Sequence, residues 1–132
     1  CIRDRSGLQG YPASIPEDII HLYRQPLVDS GNIKAPLALM RMVPDGPDHP
    51  GAERMRFIGQ YVAALDIPAE IVWGMKDPIL GQLLDNMTQN FPDAPVTETE
   101  AGHFLQEEVP GDIAAAIVRV ADAVDTADAG AQ

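Results

Sequence analysis

Cysteine is all but missing from this chain of 132 residues: the single one is Cys1. No disulfide can close within the chain and no thiolate metal cluster can assemble, which is compatible with a reducing compartment; the expected location is cytoplasmic. Positive charge is scarce too. Nine Lys+Arg stand against 20 Asp+Glu, a formal net charge of −11. Nucleic acid is therefore excluded as a partner, because its binding rests mainly on cations neutralising phosphates. Aromatic residues make up only 5%, too few for the stacking platforms of single-strand binders. Long apolar runs are absent: stretches such as Ile71-Val72-Trp73 and Ala114 to Val118 fall far short of the roughly 20 residues a membrane span needs. No basic segment followed by an apolar one opens the chain, so no secretory signal is expected. A start at Cys rather than Met predicts that the numbering begins inside a longer reading frame or a processed product.

What is present is 45% hydrophobic residues in short periodic blocks. Residues 1–14, with Gly7, Gly10 and Pro12, read as an irregular lead-in. Ser14 as a cap, Pro16 in a first turn and Glu17 and Asp18 at a positive helix end predict a helix over about 15–25, ended by Pro26. Ala35 to Met42 suits a short helix, and the stretch Pro44 to Gly51 is dense in breakers. Met55, Ile58, Tyr61, Val62 and Leu65 recur at helical spacing over Ala52 to Leu65, one face of an amphipathic helix. Met40, Met42 and Met55 are candidates for an adaptable apolar pocket, although filling a core is the commoner use of methionine.

The second half alternates. Ala69 to Gly74 is a short β-branched run ending in glycine, as a buried parallel strand does. Gly81 to Phe91 reads as a helix, Val96 with Thr97 and Thr99 as a weak second strand, and Pro110 through Val124 as a long closing helix. The tail from Thr126 is expected to fray. Strands alternating with helices imply an α/β layer with a parallel sheet. Two parallel strands do not stand alone, so the segment is expected to be one end of a larger sheet.

Ligands of open α/β sheets sit beyond the carboxyl ends of the strands. The two segments there are Trp73-Gly74-Met75-Lys76-Asp77-Pro78 and Glu98-Thr99-Glu100-Ala101-Gly102-His103-Phe104. Each delivers one titratable side chain, Asp77 and His103, to the same edge. A carboxylate there can accept from one imidazole nitrogen and leave the other as a base. Taken alone, Asp77 before Pro78 is an ordinary turn residue, and His103 a hydrogen-bonded loop histidine. His21 and His49 read as structural. Glu98, Glu100, Glu107 and Glu108 surround His103, but a single histidine without a cysteine or a second spaced histidine is a poor metal site; Glu107 and Glu108 read as a solvated helix start.

These two segments, Val72 to Gly81 and Glu100 to Glu108, resemble those of the α/β-hydrolase fold, and more narrowly its haloalkane dehalogenase-like branch. The resemblance extends over roughly residues 15–124. It implies the C-terminal portion of an α/β-hydrolase: the end of a helical cap region over 1–65, then a core segment over 66–132 carrying the acid and histidine loops. It further implies Asp77 as the catalytic acid and His103 as the base, in the chain order nucleophile, acid, histidine. In that branch an aspartate displaces halide and the histidine activates water to hydrolyse the ester. Relatives on the same layout open epoxides, decarboxylate β-lactones or cleave esters. No metal or organic cofactor is implied, and the substrate is a small apolar molecule.

The nucleophile belongs on a Gly-x-Asp/Ser-x-Gly elbow, and none occurs in this sequence. The nearest stretch, Gly46-Pro47-Asp48-His49-Pro50, ends in proline and follows no strand. Trp73 lies within a strand, away from the position of a halide-binding tryptophan. The chain is therefore expected to need a complementary N-terminal half, or to exist as a non-catalytic domain that forms homo-oligomers through its uncovered sheet edges.

Overall fold

The structure is a computed structural model that describes residues 5–32 and 34–130; Cys1 and the end of the tail lie outside them. Two compact units divide the chain: Glu17–Leu65 forms one, and the N-terminal segment up to Pro16 joins Asp66 onward in the other. The N-terminal segment is tied into that unit by the amides of Gly10 and Tyr11, which bond the side chain of Glu108. Among the described residues no helix is long and apolar enough to cross a membrane.

The unit Glu17–Leu65 is helical. It contains α2 (Glu17–Asp29), α3 (Ala35–Met40) and α4 (Ala52–Ala63), α1 being the single turn Arg5–Leu8 of the other unit. The Ser14 hydroxyl accepts from Gln9 Nε2 at 3.3 Å. Pro26 does not end α2, which runs on to Asp29. Proline removes its own donor and crowds the carbonyl four residues back; that carbonyl belongs to Leu22, which is exposed, and the Ser30 amide bonds the Pro26 carbonyl at 3.1 Å. The breaker-rich stretch before α4 has no regular structure. His49 holds it together, its Nε2 against the Arg41 carbonyl at 3.1 Å and its Nδ1 accepting from the Gly51 amide at 2.9 Å.

Helical spacing gives the right elements here but not burial. Met55, Ile58 and Tyr61 on the apolar stripe of α4 are exposed, as are Met40 and Met42, the latter at 68%. Met40, Met42 and Met55, weighed in the sequence as pocket or core residues, are more than half exposed among the described residues.

In the other unit, β1 (Ile71–Gly74) and β2 (Val96–Thr99) pair in parallel, with Ile71 opposite Val96 and Gly74 opposite Thr99. A parallel pair needs a crossover, and here it consists of a 3₁₀ turn at Gly81–Leu83 and α5 (Leu84–Asn90). The single turn α6 (Leu105–Glu108) leads into α7 (Pro110–Gly130). This helix continues into the segment expected to fray, as far as Gly130, with the Thr126 hydroxyl donating to the Asp122 carbonyl at 2.7 Å. The architecture is a mixed α/β unit on a small parallel sheet. Its core is thin: Ile15, Ile71, Ala101 and Ala116 are buried. On α7 the inner side is Ile113, Ala116 and Val120, while Ile117 is 64% exposed and Val118 is also exposed. Two open apolar depressions flank β1, one lined by Ile71, Val72, Met87, Phe91 and Val120, the other by Val72, Ile113, Ala116 and Ile117.

Candidate functional site: a carboxylate–imidazole pair at the sheet edge

Past the last paired residues, the two strands stay together. The Met75 amide donates to the Thr99 carbonyl at 2.9 Å and the Lys76 amide to the Ala101 carbonyl at 3.1 Å. The Thr99 hydroxyl ties across to the Trp73 carbonyl at 2.9 Å. Gly74 sits where these loops touch: a Cβ there would lie 2.7 Å from the Ala101 carbonyl oxygen and 2.8 Å from that of Gly102, so this approach is open only to glycine. The loop after β1 then reverses, the Asp77 amide bonding the Gly74 carbonyl at 3.1 Å and the Gly81 amide the Asp77 carbonyl at 2.9 Å.

Asp77 and His103 meet across this junction. The His103 Nδ1 lies 3.0 Å from Asp77 Oδ2. The other carboxylate oxygen accepts the amides of Ile79 at 2.7 Å and Leu80 at 3.1 Å, an Asx-type turn that holds the carboxylate in one orientation. The Asp77 side chain retains 10% of its exposure and that of His103 28%, so the pair is half enclosed with the imidazole on the outer side. Partial burial pushes the Asp77 pKa up, but bonds from His103 and from the two amides outweigh it, and the carboxyl titrates below its usual range. An ionised carboxylate can only accept, so Nδ1 carries the proton and Nε2 is the basic nitrogen. The Phe104 ring stands edge-on to the imidazole at 84°.

Further residues shape the site without having been singled out by the sequence. Glu108, expected at a solvated helix start, turns inward and accepts from the amides of Gly102 at 2.6 Å, Tyr11 at 2.7 Å and Gly10 at 3.1 Å. The His103 amide bonds the Leu8 carbonyl at 2.6 Å. Nothing local announces these bonds: Gly10 and Glu108 are 98 positions apart. Glu100 is engaged by Lys76 at 2.9 Å. Trp73 donates its indole N–H to the Gly81 carbonyl at 3.0 Å and so serves the crossover turn. His49 lies in the helical unit with backbone partners. Among the described residues no group of three or more His, Cys, Asp or Glu could hold a metal ion.

A mixed α/β unit thus presents an acid and a histidine, 3.0 Å apart, at the carboxyl edge of its parallel strands, the edge at which ligands of open α/β sheets bind. Among proteins of known activity, the chain is 30% identical over 97 residues to haloalkane dehalogenase 1 of Mycobacterium bovis (strain ATCC BAA-935 / AF2122/97), and equally to haloalkane dehalogenase 1 of two Mycobacterium tuberculosis strains. The match covers 71% of this chain and 32% of each relative, so the chain spans about a third of the length of the curated relatives it matches. No family model matches the chain, and no solved structure matches it. The likeness supports an α/β-hydrolase-like relationship.

Proposed function

We propose that these residues form the acid and histidine half of a hydrolase that cleaves carbon–halogen bonds in small apolar substrates. The observation that carries this reading is the 3.0 Å bond between His103 Nδ1 and Asp77 Oδ2, in a chain whose similarity is to haloalkane dehalogenases. The nucleophile comes from outside these 132 residues. In the scheme, an aspartate of that complementary N-terminal portion attacks the carbon, the carbon–halogen bond breaks, halide leaves and an alkyl ester forms. His103 then takes a proton from water through Nε2, and the hydroxide attacks the ester carbonyl. The alkoxide leaves and takes the proton of the carboxylic acid so formed, the alcohol departs, the carboxylate is restored, and the imidazolium returns its proton to solvent. Asp77 keeps Nδ1 protonated and stabilises the imidazolium that forms. In the same reading the helical residues 17–65 are the end of a cap region. Epoxide opening and β-lactone decarboxylation are the alternative reactions on this layout.

The test is expression of the whole reading frame that contains these residues, with halide release from bromo- and chloroalkanes as readout. Release of halide is expected, with His103→Gln abolishing turnover and trapping the alkyl ester as a mass increment on the protein. Full activity in that variant would overturn the assignment, and turnover of epoxides or β-lactones alone would move it to the alternative reactions.

A second reading rests on the exposed apolar side chains, Met42 and Ile117 among them: the chain by itself self-associates and is not catalytic. Light scattering coupled to size exclusion decides this, since a well-behaved monomer speaks against it.

A further inference from the structure

Glu108 is placed to govern the histidine without touching it. One oxygen of its carboxylate accepts the amides of both Gly10 and Gly102, and the other accepts that of Tyr11. Two of these donors belong to the N-terminal segment and one is the residue before His103. The segments are pressed together so closely that a Cβ on Gly10 would stand 1.9 Å from the Glu100 carbonyl oxygen, and one on Gly102 2.3 Å from that of Leu8. A second tie runs beside the first, from the His103 amide to the Leu8 carbonyl at 2.6 Å. The backbone of His103 is thus held by residues 8–11, and those residues are held by Glu108.

We propose that Glu108 is a positioning residue: its carboxylate fastens residues 8–11 to the Gly102–His103 backbone and thereby keeps the imidazole on Asp77. Its importance for turnover rests on the hydrolase reading; the clamp itself does not. Partial burial raises the Glu108 pKa, yet the amides of Gly102, Tyr11 and Gly10 and the Ser14 hydroxyl lower it further, and the group is a carboxylate at neutral pH.

The experiment is NMR on the 132-residue chain with labelled histidine, His103 being assigned by the signal lost in His103→Gln. In the unaltered chain the imidazole is expected as the Nδ1-protonated tautomer. Glu108→Gln, which puts an amide N–H₂ where an acceptor stood, and Gly10→Ala, which forces the segments apart by different atoms, are both expected to shift it towards the Nε2-protonated form. Cross-strand signals between Gly74 and Thr99 should persist. A Glu108→Gln chain that keeps these signals and the Nδ1-protonated tautomer overturns the proposal. Should either variant unfold, an acid titration of the unaltered chain decides. The amide shifts of Gly10, Tyr11 and Gly102 must then move with one midpoint, that of the Glu108 carboxyl carbon; separate midpoints refute the clamp. None of these readouts uses catalysis, so failure of the halide assay and failure of the clamp are told apart.

Discussion

Replacing Asp77 by asparagine separates the two jobs of its carboxylate. Oδ1 accepts the Ile79 and Leu80 amides, and Oδ2 meets His103 Nδ1. Asparagine keeps an acceptor for the first pair but offers an N–H₂ to the imidazole, so the ring must accept at Nδ1 and carry its proton on Nε2. The basic nitrogen is then lost. Bonds to charged groups contribute roughly 1.5–3 kcal/mol and neutral ones roughly 0.5–1.5. Ile79 and Leu80 are exposed, so water replaces part of any loss on their side. Asp77→Asn should therefore cost about 1–2 kcal/mol, and Asp77→Ala, which removes all three bonds, about 3. At roughly 4 °C per kcal/mol for a domain of this size, the melting temperature should fall by about 4–8 °C and about 12 °C. Circular dichroism melts at pH 7 and histidine nitrogen shifts supply the assay. A folded Asp77→Asn chain that retains the Nδ1-protonated tautomer, or one no more stable than Asp77→Ala, would refute the reasoning. On the proposed hydrolase reading, the same change in the whole protein should lower turnover by roughly three to four orders of magnitude.

Stability should fall in acid. Asp77 and Glu108 both titrate below their usual range in the folded chain, so their contribution is fully present above roughly pH 4, the unfolded value, and is lost as pH drops through the folded values; a urea midpoint unchanged between pH 5 and pH 2.5 would contradict this. Gly74→Ala places a methyl 2.7 and 2.8 Å from two carbonyl oxygens; parting the loops should cost about 2–4 kcal/mol and broaden the His103 signal, and a melt matching the unaltered chain would show that the approach is less tight. Trp73→Phe removes the donor to the carbonyl of buried Gly81 and should cost about 2 kcal/mol in urea unfolding, a change under about 0.5 kcal/mol showing that water takes the donor's place.

Where a feature depends on neighbouring residues, reading the chain in order was enough. The β-branched run closed by Gly74, the breakers from Pro44 to Gly51 and the helical spacing after Ala52 each express a local preference, and the corresponding elements appear. Even the meeting of Asp77 and His103 was legible, because parallel strands joined by a crossover put their carboxyl ends on one edge whatever the remaining fold. Burial was not legible to the same degree. An apolar stripe states that a face can be buried, while the covering surface must come from elsewhere in space; Met42, Met55 and Ile117 satisfy the pattern and remain exposed. The course of α2 through Pro26 departs from the expected helix end for a related reason, since one missing donor is tolerated where solvent reaches the helix.

Composition and spacing alone thus set the class of structure and the edge at which chemistry could occur, as both follow from short-range sterics and charge. The placing of Glu108 was left to the folded chain. A carboxylate gathers amides from residues 10, 11 and 102 only after the polypeptide has brought distant backbone together, and no periodicity records an encounter between segments so far apart.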